Sequence, residues 1–384
     1  MKKEISLLGL ALILFSGCAI LDDPDDKKDL ITSESMQEKK IGETIQDRHW
    51  KRVFSKAFSD VACPSSRDPQ TLPDGYYKGP MLDTHVHIQS LPDGEPGYPD
   101  TYYVGDNLGI RRSISEWICM VDVEGTKQAW VFFPVWDPIV EESVDVVTKT
   151  IKKYPDRFIP FIMPPDGDGP TVAAQALQEM LDIEPGLFKG YGEIGLYATS
   201  ELPSLPPDSE KMMEIYRTAE KNNLIVYVHL GEGHQESLER AAEANPNVTF
   251  VFHGDQLIDC GECDRTPDAV AQILERHPNV YYGVDELYGN EWLLKPGAGK
   301  RAFLDHFADY ERLLQIDLAN WKDFIESHPD QVLWGTDRGV SETWDTDTDV
   351  ALTLNNYTRA FIGRLDSSVQ EKYAYRNAEK LLGK

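Results

Sequence analysis

Met81-Leu82-Asp83-Thr84-His85-Val86-His87 is a short apolar run that ends in two histidines one residue apart. In a strand, residues i and i+2 point to the same side, so His85 and His87 face one way, close enough to share a metal ion. Imidazole suits zinc, iron, nickel and related ions. One H-x-H pair occurs by chance in many chains, and its weight depends on what ends the later apolar runs. Those runs lie at 128–134, 158–163, 188–196, 224–229, 248–253, 280–284 and 332–336, rich in Val, Ile, Phe and Tyr and mostly without strict alternation. Such runs suit strands buried on both faces.

Between the runs lie helical patterns at 144–153, 171–181, 208–222, 235–244 and 267–277, with closing helices at 345–364 and 367–382. Several stop at Pro or Asn, as at Tyr154-Pro155, Asn245-Pro246 and Pro278, where a helix cannot continue. Eight strands alternating with helices predict an α/β fold, a single-domain (β/α)8 TIM barrel over 81–384. An open doubly wound sheet would place a Gly-rich phosphate turn after the first strand, and none is present. The longer connections 90–125 and 286–330 are expected as lids or walls over the active face.

Ahead of the barrel, Met1-Lys2-Lys3 and the apolar run 7–15 have the layout of a secretory signal, too short to span a bilayer as a mature helix. Ser16-Gly17-Cys18 then resembles the bacterial lipobox, which marks Cys18 for lipidation and residues 1–17 for removal. Residues 18–46 read as a solvated tether, beginning with the acidic run at 22–26, and 47–80 as an N-terminal extension packing on the barrel. The expected location is the cell envelope, lipid-anchored at the outer membrane. The formal net charge of −27 repels nucleic acid and anionic lipid, so neither is expected as a partner beyond the anchor itself. Besides Cys18 there are Cys63, Cys119, Cys260 and Cys263. Export permits disulfides. The lone Cys260-Gly-Glu-Cys263 favours a loop disulfide or free thiols over a metal knuckle.

The other strand ends carry metal-capable or titratable residues too. Glu193 sits late in the fourth run, His229 ends the fifth, His253 the sixth, and Asp337 follows the eighth. In a barrel those ends converge on one mouth. Burying several unpaired polar groups together is costly, so packing alone does not account for the set. Of the nine histidines, His49, His234, His277, His306 and His328 fall in helices or loops and read as surface or capping residues.

The order H-x-H, Glu, His, His, Asp resembles the amidohydrolase superfamily, and most nearly its amidohydrolase-related branch, which also contains decarboxylases. Tyr154-Pro155-Asp156-Arg157-Phe158, Gly335-Thr336-Asp337 and the terminal segment 377–383 support it. Tyr191-Gly192-Glu193-Ile194-Gly195-Leu196 is similar to the fourth-strand signature of TatD-like deoxyribonucleases. The resemblance runs from about residue 80 to the C-terminus. It implies His85, His87 and His229 as metal ligands and Asp337 as ligand and general base. It implies His253 as ligand of a second ion or as the group that polarises the substrate carbonyl, and Glu193 as ligand or bridge. Some relatives bridge two metals with a carboxylated Lys on this strand. Lys189, four residues before Glu193, lies too deep for that and is expected to pair with a carboxylate.

The implied cofactor is one or two divalent ions. Zinc is the first choice, because exported proteins meet it more readily than reduced iron. Such an ion brings the pKa of bound water towards neutrality. The expected activity is hydrolysis of an amide, lactone or other ester of a small molecule. Non-oxidative decarboxylation, phosphoester hydrolysis and a non-catalytic surface binding protein are the alternatives. Arg338 would bind a substrate carboxylate or phosphate, or form a salt bridge within its loop. Asp285 and Glu286 would meet a cationic substrate group or add to an acidic rim. Trp117, Trp136, Tyr288 and Trp292 would line the pocket or simply pack.

Overall fold

In the computed structural model, eight parallel strands follow one another around the sheet in chain order. The structure describes residues 55–88, 112–135, 140–163, 171–198, 203–254, 266–285, 287, 298–339, 344 and 347–383. The chain divides into two units, Met1–Lys51 and Arg52–Lys384. The first, with the expected signal, Cys18 and the whole of the tether, lies outside the described residues, and every strand and helix of the barrel belongs to the second. No helix among the described residues is long and apolar enough to cross a membrane.

The elements are β1 Leu82–His87, α1 Ile114–Glu124, β2 Gln128–Pro134, α2 Val140–Lys153, β3 Phe158–Met163, α3 Ala174–Ile183 and β4 Gly190–Gly195. They continue with α4 Glu210–Asn222, β5 Ile225–His229, α5 Gln235–Ala244, β6 Thr249–His253, α6 Pro267–Arg276 and β7 Val280–Val284. The last are α7 Lys300–His306, α8 Tyr310–Ser327, β8 Val332–Trp334, α9 Thr348–Ile362, α10 Ser367–Glu371 and α11 Asn377–Leu381. Every residue of β1, β2, β3 and β7 is buried, because each strand has side chains in the barrel on one face and under helices on the other. Full burial of a large apolar side chain stabilises by about 1.5–3 kcal/mol. Just past β8 the ring closes on β1 through an isolated bridge between Val86 and Arg338 and a 2.7 Å hydrogen bond from His87 N to Arg338 O. This is a (β/α)8 barrel, as expected, with closure on the narrow side.

Two features of the sheet bear on the mouth. The β1–β2 register shifts between Asp83 and Val86, and the β4–β5 register between Tyr191 and Ile194. Such irregularities re-aim side chains, and these two fall on His85 and on Glu193. Beneath the mouth, Phe132, Phe161 and Tyr227 fill the barrel with ring centroids 5.1–5.3 Å apart, giving the polar groups above them an aromatic floor.

Two expectations need correction. Much of the connections 90–125 and 286–330 is the barrel's own helical layer: α1 in the first, α7 and α8 in the second. The parts 89–111 and 288–297 lie outside the described residues. Of the two readings of Trp117, packing is the one observed, since it is a buried residue of α1. The closing helix read at 367–382 is α10 and α11 joined by a π-helical turn, Lys372–Arg376. Tyr373 Oη donates to the Val284 carbonyl (3.3 Å), and Asn377 Nδ2 to the Pro329 and Val332 carbonyls (2.9 and 2.8 Å). These bonds tie the C-terminus to β7 and β8.

Cys63 and Cys119 form a disulfide, which spacing alone did not reveal. It pins the extension before the barrel to α1, whose first turn is held by a reciprocal Ser113–Glu116 capping box. Cys260 and Cys263 lie outside the described residues.

Candidate metal centre

All six residues expected at the mouth come together. His85, His87, Glu193 and Asp337 each offer a ligand atom within 4.8 Å of the others, as do Glu193, His229 and His253. A third overlapping group joins His85 and His253 to Asp285. His85 Nε2 and His87 Nε2 lie 3.0 Å apart. Asp337 Oδ1 lies 3.1 Å from the first and 3.2 Å from the second.

Glu193 divides its carboxylate between two histidine pairs. Oε2 is 3.5 Å from His85 Nε2 and 3.2 Å from His87 Nε2. Oε1 is 2.9 Å from His229 Nδ1 and 2.8 Å from His253 Nε2. The backbone puts it there: Gly192, at φ +137°, lies so close to β5 that a Cβ would stand 2.1 Å from the Tyr227 carbonyl oxygen. Only glycine fits that approach. Asp337 itself has φ +50°, a left-handed conformation that Asp tolerates better than most residues. Gly339 behind it, at φ +94°, leaves no room for a Cβ against the His87 carbonyl.

Asp285 is neither on a rim nor open to substrate. It is 1% exposed, and its Oδ2 lies 2.6 Å from His85 Nδ1 and 3.2 Å from His253 Nδ1. One carboxylate oxygen therefore turns the Nε2 atoms of two histidines towards the cluster, the usual duty of a carboxylate behind a metal-binding imidazole. A residue at the end of β7 and buried beneath two rings looks, in sequence, the same as one on the rim.

Arg338 is likewise turned into the fold. It pairs with Glu124 through both terminal nitrogens and with Asp83 at 3.3 Å, all three side chains being buried. The Asp83 carboxylate also accepts from Thr336 Oγ1 (2.6 Å) and from the His85 backbone N–H (3.1 Å). Arg338 thus forms a salt bridge and not a substrate clamp, and its partners lie in β1 and α1 rather than within its own loop. Asp83, though part of the decisive stretch, was assigned no role from sequence, and Glu124 lay in what looked like a loop. Lys189 donates to the Gly186 carbonyl (2.8 Å), not to a carboxylate. His277 and His328 stand at helix C-caps and His234 at an N-cap. Tyr197, a partly exposed residue after β4, sets its ring against His229 at 4.6 Å and was not picked out from sequence.

The cluster is strongly polarised. Burial alone would push His85 down, but Asp337, Asp285 and Glu193 outweigh it and raise it to about 10. His87 and His253 are raised against the same burial penalty by the carboxylates beside them. Burial opposes ionisation of Glu193 and Asp285, yet the surrounding histidines hold both below the usual carboxylate range. His85, His87 and His253 are buried, whereas the side chains of Glu193, His229 and Asp337 are 14, 14 and 12% exposed. A ligand therefore reaches the cluster over those last three. Once an ion displaces their protons, these imidazoles beside carboxylates make a donor set suited to a divalent metal such as zinc, so the residues present fit one.

Comparison with known proteins places this barrel. The amidohydrolase family model matches residues 120–384, well over half of the chain. The chain belongs to that family, and it is an enzyme of the metal-dependent hydrolase type. Among solved structures it is similar to a probable 2-pyrone-4,6-dicarboxylic acid hydrolase from Acinetobacter baumannii with citric acid bound (13% identity, 79% of this chain and 99% of that one, TM-score 0.51). It is also similar to an amidohydrolase from Burkholderia multivorans with bound zinc (11% identity, 79% and 99%, TM-score 0.50). At such identities the likeness is one of fold. Among curated proteins none matches this sequence.

Proposed function

We propose that this chain hydrolyses an amide, lactone or other ester of a small molecule, using one or two divalent ions held by His85, His87, Glu193, His229, His253 and Asp337. The observation that carries the proposal is the divided carboxylate of Glu193, one oxygen facing His85 and His87 and the other His229 and His253. Zinc remains the first choice of ion. When bound, the ion supplies a Lewis acid that polarises a water molecule and the scissile carbonyl.

Asp337 takes the proton of the attacking water on its partly exposed carboxylate and passes it to the leaving group. Asp285 holds His85 and His253 with Nε2 forward, so the donor set is oriented before substrate arrives. His253, buried and with Nε2 against Glu193 Oε1, suits a ligand role better than direct contact with the carbonyl. Tyr197, its ring against that of His229, stands beside the donor set.

Decarboxylation would call for a carboxylate clamp, and Arg338 is engaged with Glu124 and Asp83. The net charge disfavours polyanionic phosphoesters, and a degraded donor set, expected of a mere binding protein, is not what the cluster presents. The site is tested with a panel of lactones, aryl esters and anilides. Asp337→Asn is expected to lower turnover by about a hundredfold or more while the ion stays bound. Turnover unchanged in that variant would remove Asp337 from the reaction.

Lipidation at Cys18 and residence at the outer membrane belong to the same proposal. The Cys63–Cys119 disulfide supports export, since such links persist in oxidising compartments. Metabolic labelling with a fatty acid, lost in Cys18→Ser, tests it.

A further inference from the structure

A cavity lined by none of the residues of the metal cluster lies between the extension and the helical layer. It has a volume of about 290 Å³, at the corner where the extension before β1 crosses α9 and the junction of α7 with α8. Tyr76, Phe307, Tyr310 and Tyr357 supply aromatic walls, and Arg67 and Asn356 stand on one side. Arg67 Nη1 donates to Asn356 Oδ1. Tyr76 and Tyr310 join their hydroxyls at 2.7 Å. The Tyr357 hydroxyl is bound to Asp317, so Tyr357 offers the cavity its ring.

Arg67 is the unusual member. It is half-buried, and among the described residues no carboxylate pairs with it, in a chain of net charge −27. Burial pushes its guanidinium down from its ordinary value, and the neighbouring Tyr76 opposes that only in part. A partly desolvated cation without a counter-ion is costly, and a guanidinium presents a planar fork that matches a carboxylate with two parallel hydrogen bonds. Aromatic walls favour a flat ring packed edge-to-face or offset. The volume lies at the lower limit of small-molecule sites, which begin at about 300 Å³, so it suits a single ring.

We infer that this cavity binds a monocyclic aromatic carboxylate, its carboxylate on Arg67 and its ring among Tyr76, Phe307 and Tyr310. The site shares no residue with the metal cluster and does not depend on the proposed reaction.

Benzoate titrated into the full-length chain by calorimetry is the test, with benzamide as the uncharged control. Saturable one-to-one binding of benzoate is expected, with benzamide weaker. Arg67→Gln should weaken benzoate about tenfold or more, the usual worth of a hydrogen-bonded charge. Thr353→Trp, which fills the cavity from α9 and leaves Arg67 in place, should weaken it as much. Asp337→Asn, altered only at the barrel mouth, should bind benzoate as the unaltered chain does. The inference is overturned by absence of saturable binding, by equal affinity for benzamide, or by retention in both cavity variants. Loss in Asp337→Asn together with retention in those two would place the benzoate in the barrel, and would overturn it as well.

Discussion

Asp285 and His85, 200 positions apart in the chain, meet at 2.6 Å in the floor of the barrel mouth, carboxylate Oδ2 against imidazole Nδ1. The contact leaves His85 Nε2 facing His87, Glu193 and Asp337. The same oxygen reaches His253, so one residue at the end of β7 orients donors from β1 and β6.

That relationship makes Asp285 a positioning residue. Asp285→Asn keeps the shape but removes the charge and changes which ring nitrogen is protonated. Metal affinity is expected to fall by about 10–100-fold, measured by competition with a chromogenic chelator, while the far-ultraviolet circular dichroism stays unchanged. Undiminished affinity would make Asp285 a buried bystander.

The protonation of the cluster sets a pH dependence. In the metal-free chain, His85 is raised to about 10 by its carboxylate neighbours, against about 6.5 when unfolded. Its contribution to stability is whole below about 6.5 and is lost as pH rises through about 10. Glu193 and Asp285 are depressed in the folded state, which is the same interaction viewed from the other partner and is counted once. A bound ion displaces those protons, so its affinity rises over the same interval. Thermal melts with and without metal from pH 6 to pH 10 should therefore diverge as pH increases. Parallel curves would contradict the assignment.

Arg338 offers a test between structural support and substrate binding. Removing one member of a buried ion pair leaves the other uncompensated and costs about 3–5 kcal/mol. Arg338→Met and Glu124→Leu should each lower the denaturation midpoint sharply, and the double variant less than the sum. A substrate clamp would instead raise KM and leave the midpoint alone.

Reduction should act on the extension before the barrel. Opening the Cys63–Cys119 link, which closes a loop 56 residues long in sequence, should cost about 2–4 kcal/mol. Cys63→Ser and a reducing agent should lower the melting temperature equally. If neither does, the link is not formed in solution.

Most of the eight strands were legible as apolar runs rich in Val, Ile, Phe and Tyr, and six mouth residues were legible because each lies late in, at the end of or just after one. β1 and β4 differ from regular strands at the two register shifts, which no alternation pattern reveals. The inward turn of Asp285 and Arg338 was hidden for one reason. Sequence places both at strand ends, but whether a side chain there turns to the mouth or into the wall depends on partners far away in the chain. For Arg338 these are Glu124 and Asp83, and for Asp285 they are His85 and His253. The Cys63–Cys119 pairing was hidden likewise, since it joins an extension without periodicity to α1, within a stretch that read as a connection.

Metal content decides the central claim most directly. Elemental analysis of the purified chain, beginning at residue 19, is expected to find about one to two equivalents of a divalent ion, lost in His85→Ala. A chain that carries none, and takes up none when titrated with zinc, manganese or iron, would contradict the account.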